Sequence, residues 1–307
     1  MKLGELKCPP YFYLSVCNMK NFMYICTKYE KSRNVFYRKN NNKNDKEMKR
    51  AYFILSLILF FTGQFVYSQS GFEAKIFVTS KNDTLRYREL LPKNYNSKQK
   101  YPLVLFLHGA GERGSDNLTQ LTHGSMMFTN PVNREKYPAI VLFPQCPNGF
   151  FWPFERRPEG KLDLNSFPTN YPITSIMQAV KDMLDKYIAF GNVDTDRIYI
   201  MGLSMGGMGT FDMVCRFPDV FAAAIPICGG VNPERLKAAA GKVKFRIYHG
   251  DKDETVPAEN SRKAYQALKE YGADVEYIEF VGCNHASWDP AFNQPDFLSW
   301  LFKQKKM

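Results

Sequence analysis

The stretch Arg197-Ile198-Tyr199-Ile200-Met201-Gly202-Leu203-Ser204-Met205-Gly206-Gly207 decides the fold of this chain. Arg197 to Met201 is a short apolar run with the composition of a buried strand. From Met205 to about Phe217 the pattern is helical. Between them stands G-x-S-x-G, with Gly202 and Gly206 two positions either side of Ser204. A chain that turns from strand to helix in so few residues strains its middle residue, and side chains two places away would collide, so glycine is required there. Ser204 is thereby lifted to a helix N-terminus, whose partial positive charge favours an oxyanion.

Working outward, Leu103 to Leu107, Ala139 to Phe143, Ala222 to Ile227 and Phe245 to Tyr248 are continuous apolar runs, the mark of strands covered on both faces of a parallel sheet. Residues 275–281 supply the last strand. Residues 73–79 and 84–90 alternate apolar and polar around Lys81-Asn82-Asp83, which predicts an opening antiparallel hairpin. Ile173, Ile176, Met177, Val180, Leu184 and Ile188 recur at helical spacing, and residues 258–271 and 296–302 behave similarly. The predicted class is α/β: a mostly parallel central sheet with helices on both faces and an N-terminal hairpin. Only about 13 residues, Val231 to Val243, separate Gly230 from the next strand, too few for a large cap domain. In such sheets function sits beyond the carboxyl ends of the strands.

A serine hydroxyl needs a base, and a G-x-S-x-G turn in this setting takes its partners in the order serine, acid, histidine. His285, in the loop after the last strand, is the expected base. His108 and His123 precede the turn, and His249, at a strand end, is expected to pack structurally. The acid is expected from His249-Gly250-Asp251-Lys252-Asp253-Glu254; Asp253 is the choice, while Asp251 or Glu254 would cap the following segment. Asp194 and Asp196 precede their strand at the wrong edge of the sheet. Two backbone N–H groups must hold the oxyanion: Met205 supplies one, and Ala110, or alternatively Gly111, the other, from the loop His108-Gly109-Ala110-Gly111-Glu112-Arg113-Gly114. Glu112 and Arg113 are expected to brace that loop as an ion pair. Phe151 and Trp152, in the irregular stretch 147–172, either stack on substrate or pack the loop; Trp288 either lines the site or wedges the His285 loop.

The set His108-Gly-Ala-Gly-Glu-Arg-Gly, Phe143-Pro-Gln-Cys-Pro, Gly202-Leu-Ser-Met-Gly-Gly, His249-Gly-x-x-Asp-x-x-Val-Pro and His285-Ala-Ser-Trp-Asp resembles the α/β-hydrolase superfamily over about residues 72–303. Within it, the chain is most similar to secreted esterases related to polyhydroxybutyrate depolymerase and feruloyl esterase. The resemblance implies Ser204, Asp253 and His285 as a triad working through an acyl-enzyme. A site without a lid suits a small-molecule or polysaccharide-linked ester, and with neither H-E-x-x-H nor a dinucleotide loop in the sequence no metal and no cofactor is expected. Relatives often carry Gly just ahead of the histidine, where this chain has Cys283-Asn284. Two rivals remain: a prolyl-oligopeptidase-type serine peptidase, which usually carries an N-terminal propeller, and a non-catalytic carbohydrate-binding module on a hydrolase fold.

Composition bounds the rest. The chain has 307 residues with 41 Lys+Arg against 30 Asp+Glu, but residues 1–68 hold 12 of the former and 4 of the latter. The body is therefore nearly neutral, which removes the electrostatic case for a nucleic-acid surface. Met48-Lys49-Arg50 precedes the apolar run Ala51 to Phe61 and small residues near Ser68, the pattern of a signal peptide. Eleven apolar residues fall short of the ~20 a membrane span needs. The expected organisation is a start-site over-extension or disordered tail at 1–47, a signal peptide at 48–68, and one catalytic domain at 69–307, secreted or periplasmic, with no membrane span after cleavage. The oligomeric state is not legible. Cys146, Cys215, Cys228 and Cys283 lack metal spacing and are expected to be buried free thiols.

Overall fold

A computed structural model describes residues 6–7 and 71–306. The leader and signal-peptide readings fall outside these residues, apart from the strand β1 (Leu6–Lys7). The further strands are β2 (Glu73–Val78), β3 (Thr84–Leu90), β4 (Tyr101–Leu107), β5 (Ile140–Pro144), β6 (Val193–Leu203), β7 (Ala223–Ile227), β8 (Lys244–Gly250) and β9 (Val275–Val281). They form one sheet in the order β1-β9-β8-β7-β6-β4-β5-β3-β2. The β2/β3 hairpin and the β3/β5 pair are antiparallel; every other pair is parallel. Asn82, in the hairpin turn, takes a left-handed φ of 66°, a conformation Asn tolerates better than most residues.

The helices are α1 (Ser125–Thr129), α2 (Pro131–Lys136), α3 (Ser175–Ala189), α4 (Met205–Arg216), α5 (Glu259–Glu270), α6 (Trp288–Phe292) and α7 (Phe297–Lys303). Because successive strand residues point to opposite faces, β4 divides its apolar run between two cores. Leu103, Leu105 and Leu107 join Met177, Val180 and Leu184 of α3, Phe211 of α4 and Leu268 of α5 on one face. Val104 and Phe106 join Phe128 of α1, Ala291 of α6 and Leu301 of α7 on the other. Burial on both sides is why these strands are continuously apolar. The sequence reading missed α1, α2 and α6, each six residues or fewer and too short to show a helical period. It also started β6 late: Asp194 and Asp196 lie inside this strand, where Asp194 pairs with Arg197 at 2.7 Å.

No cap domain interrupts residues 228–243; they hold a single 3-10 turn, Pro233–Ala238. The carboxyl end of the sheet is instead strapped by the stretch that follows β5. The Trp152 indole N–H donates to the His108 carbonyl at 3.0 Å, Asn260 donates to the Leu162 carbonyl at 2.9 Å, and Asn232 donates to the Phe167 carbonyl at 3.0 Å. The end of the strap is tied down by Asp212 of α4, which is 1% exposed and pairs with Arg216 at 2.9 Å and Arg235 at 2.7 Å while accepting from the Tyr171 hydroxyl at 2.9 Å. Two guanidinium groups around one buried carboxylate satisfy the charge that burial would otherwise penalise.

Candidate active site

The turn between β6 and α4 has the strain its glycines predict. Ser204 sits at φ 54°, ψ −118°, a region costly for any residue with a Cβ. A Cβ on Gly202 would come within 2.4 Å of the Gly206 carbonyl oxygen, and one on Gly206 within 1.9 Å of the Leu107 carbonyl oxygen. The loop after β4 therefore lies directly against the Ser204 turn, and no other residue type fits the contact.

The three side chains expected to meet do so. His285 Nε2 lies 2.9 Å from Ser204 Oγ, and His285 Nδ1 lies 2.7 Å from Asp253 Oδ2. Asp253 Oδ1 accepts from the backbone N–H groups of Thr255 and Val256, both at 2.9 Å. Burial alone would raise the Asp253 carboxyl's pKa, but hydrogen bonds from His249 and His285, together with the His285 charge, outweigh it and hold the group well below the usual carboxylate range. Asp251 accepts from the Gly282 N–H at 2.6 Å and so ties the β8 turn to the end of β9. Glu254 is exposed. A Cβ on Gly250 would come within 2.5 Å of the Cys283 and Asn284 carbonyl oxygens, so the His285 loop rests on the end of β8.

The loop that carries Ala110 and Gly111 is held by His108. Its Nδ1 lies 2.6 Å from the Gly109 carbonyl and its Nε2 receives the Cys146 N–H at 2.9 Å. A carbonyl facing one nitrogen and a donor facing the other require the neutral imidazole with its proton on Nδ1. Burial pushes this histidine down from its ordinary 6.5 to about 4. Since the folded pKa is the lower one, the unfolded chain binds the proton first, and stability rises with pH across this window. Denaturant unfolding is therefore expected to show stability falling by on the order of 3 kcal/mol as pH drops from about 6.5 to 4. His108→Gln should flatten that slope, and a wild-type curve already flat there would contradict the assignment.

The structure decides between the open alternatives and overturns two expectations, the Glu112–Arg113 ion pair and a free Cys283 thiol. Trp152 and Phe151 are 0% and 1% exposed. Trp152 packs edge-on against His108 and Phe151 stacks on Phe154, so they brace the strap and its loop instead of facing substrate. Trp288 stands edge-on to His285 at 5.6 Å and also meets His123 at 5.2 Å, so it wedges the histidine loop. Glu112 and Arg113 form no ion pair: Glu112 faces His123 at 3.7 Å, and Arg113 donates to the carbonyls of Ala110 at 2.8 Å and Phe150 at 3.2 Å. Cys146 and Cys228 are buried free thiols and Cys215 is a partly buried one, whereas Cys283 is disulfide-bonded. Cys283, where this chain departs from the glycine frequent in the resemblance, is thus covalently bonded.

A strained serine turn at the centre of a mostly parallel sheet, met by His285 and Asp253 from the loops after β9 and β8, defines an α/β-hydrolase. Residues 94–297 match the phospholipase/carboxylesterase family, and the chain belongs to it. It is 26% identical over 216 residues to a probable carboxylesterase, SOBER1-like, of Arabidopsis thaliana, covering 67% of this chain and 78% of that one. It is 30% identical over 122 residues to poly(3-hydroxyalkanoate) depolymerase C of Paucimonas lemoignei, covering 30% of each. Among solved structures, a thermostable esterase superposes with a TM-score of 0.69 at 36% identity, covering 76% of this chain and 63% of that one. The depolymerase and the thermostable esterase are each matched over less than two thirds of their own length. Among the described residues no helix is long and apolar enough to cross a membrane.

Proposed function

We propose that the protein is a secreted serine carboxylic-ester hydrolase that works through Ser204, His285 and Asp253. The observation that carries this reading is the unbroken chain from the Ser204 hydroxyl to His285 Nε2 at 2.9 Å and from His285 Nδ1 to Asp253 at 2.7 Å. In the reaction, His285 Nε2 takes the hydroxyl proton as Ser204 Oγ bonds to the ester carbonyl carbon. The carbonyl oxygen becomes an oxyanion held by the N–H groups of Met205 and of Ala110 or Gly111. Met205 is the first residue of α4, so the helix itself makes no use of its N–H. The C–O bond to the alcohol breaks, and the leaving oxygen takes the proton from His285. Water, deprotonated by the same imidazole, then releases the acid and frees Ser204.

Secretion rests on the sequence pattern of residues 48–68. An ester pendant on a polymer is supported by the absence of a cap within residues 228–243 and by the likeness to a polymer depolymerase. Carbohydrate-linked esters fit that description. Aromatic acyl groups have weaker support, because Phe151 and Trp152 are buried, leaving Trp288 as the aromatic ring beside His285. The test is turnover of p-nitrophenyl acetate, methyl ferulate and a proline-containing peptide, followed by labelling with a p-nitrophenyl alkylphosphonate and mass mapping. Ester turnover with a single label on Ser204 is expected. Turnover of the peptide alone would favour the serine-peptidase reading, and a label elsewhere would end the assignment of Ser204.

A further inference from the structure

The fourth ligand of the Asp253 carboxylate is His249. Its Nε2 lies 3.2 Å from Asp253 Oδ2 and 2.8 Å from the Val256 carbonyl oxygen, and its Nδ1 lies 2.7 Å from Ser261 Oγ. The carboxylate and the carbonyl can only accept, so a proton sits on Nε2 and is shared between them; Nδ1 faces the Ser261 hydroxyl of α5, which can serve it as donor or acceptor. The imidazole is fully buried, and each of its nitrogens is engaged.

We propose that His249 is a positioning residue for the reaction: it donates from Nε2 to the oxygen of Asp253 that orients His285, and so sets the carboxylate's rotation and its charge. This rests on Asp253 being the acid of the triad. A carboxylate offers about four acceptor sites, and Asp253 fills them with the N–H groups of Thr255 and Val256 on Oδ1 and two imidazoles on Oδ2. Without His249, Oδ2 answers to His285 alone, and only the two N–H groups on Oδ1 still resist a turn of the carboxylate about its Cβ–Cγ bond. The same nitrogen holds the Val256 carbonyl, so one side chain closes the turn 253–256 and aims the group that the turn presents. His249 reaches Asp253 from the end of β8, while His285 reaches it from the loop packed against Gly250.

The charged and titratable groups around this pair are few. Glu279 lies opposite His249 across the β8/β9 register and is itself paired with Arg262 of α5 at 2.7 Å, with Tyr277 bonded to the same carboxylate. The Cys228 thiol lies within 4.8 Å of the Asp253 and His285 ligand atoms. Neither is a proton donor to Asp253 Oδ2 among the described hydrogen bonds, so His249 and His285 share that oxygen between them.

The sign of the effect follows. A donor on Oδ2 spreads the carboxylate's negative charge; its removal leaves more charge facing the imidazolium that forms during the reaction, and that cation is then harder to deprotonate. His249→Phe keeps a ring in the site and removes the donor. It is expected to lower kcat for p-nitrophenyl acetate about tenfold or more with KM within about twofold, and to move the acid-side half-maximum of kcat/KM to higher pH. His249→Gln, whose amide N–H reaches the Nε2 position, should restore most of the rate and return the limb. A lower kcat with an unmoved limb and no rescue by Gln would mean that His249 only packs the core, and an unchanged Phe variant would overturn the proposal outright.

Imidazole nitrogen NMR on the intact wild-type protein gives a second reading that no variant's folding can compromise. A proton on His249 Nε2 is expected, and a proton on Nδ1 alone would refute the donor role. Failure of the triad itself would show differently, as activity surviving Ser204→Ala or Asp253→Asn while the His249 proton stays on Nε2.

Discussion

Ser204→Ala is expected to lower kcat/KM for p-nitrophenyl acetate about 10⁴- to 10⁶-fold, or ~5–8 kcal/mol of transition-state stabilisation. The size follows from what is lost. Without Oγ no acyl-enzyme forms; His285, 2.9 Å from that oxygen, has no proton to take, and Asp253, 2.7 Å from His285, orients an imidazole with nothing to activate. Members of such a unit are non-additive, so adding His285→Ala to the serine variant should cost little more. The fold should be unaffected: Ser204 makes no side-chain cap to α4, and Ala at the same φ of 54° carries the same Cβ. Steady-state kinetics beside a thermal melt checks both halves. A variant retaining a tenth of wild-type turnover would place the chemistry elsewhere.

Gly206→Ala should be the most damaging alanine substitution among the described glycines. The added carbon would sit 1.9 Å from the Leu107 carbonyl oxygen, 2.5 Å from its carbon and 2.8 Å from the His108 carbonyl oxygen, where ordinary contact begins near ~3.5 Å. All three are backbone atoms at the carboxyl end of β4, a strand hydrogen-bonded to β5 and β6 on its two edges and buried at every position. Neither side can yield, so the turn or the strand pairing must break. A loss above about 4 kcal/mol is expected, enough to leave the chain largely unfolded or insoluble. Gly111→Ala is the contrast: nothing lies within 4 Å of its added Cβ, and its melting temperature should stay close to wild type. Circular dichroism melts of the two variants make the comparison, and a folded Gly206→Ala of near-native stability would show that the turn is looser than its geometry states.

Much of this site was legible because its chemistry is local. The turn at 202–206 is spelled by residues that only a strained βα connection needs. The order Ser204, Asp253, His285 is the one a G-x-S-x-G turn takes in this setting, and a parallel sheet brings the three loops out at one end. Illegible were the roles that depend on which way a side chain points after folding. Phe151 and Trp152 look like a substrate platform as a sequence, but their loop turns them under His108 and against Phe154. Glu112 and Arg113 are adjacent charges of opposite sign, but a 3-10 turn over Ala110–Glu112 sends them apart, one to His123 and the other to backbone carbonyls. His249 offered a faint signal, its spacing of four from Asp253, which a strand end gives no reason to read as a contact. The turn 253–256 folds the carboxylate back over it.

Local pattern carries the layers of the fold and the candidate serine, carboxylate and imidazole, because strand periodicity and glycine sterics act over a few residues and a G-x-S-x-G turn takes its partners in a fixed chain order. Packing in three dimensions sets how the Asp253 carboxylate is filled, which aromatic rings face His285, and that Cys283 is bonded while Cys146, Cys215 and Cys228 stay free. Those outcomes depend on distances between segments far apart in the chain, set by how β8, β9, α5 and the strap over residues 147–172 pack on one another, and no local pattern encodes them.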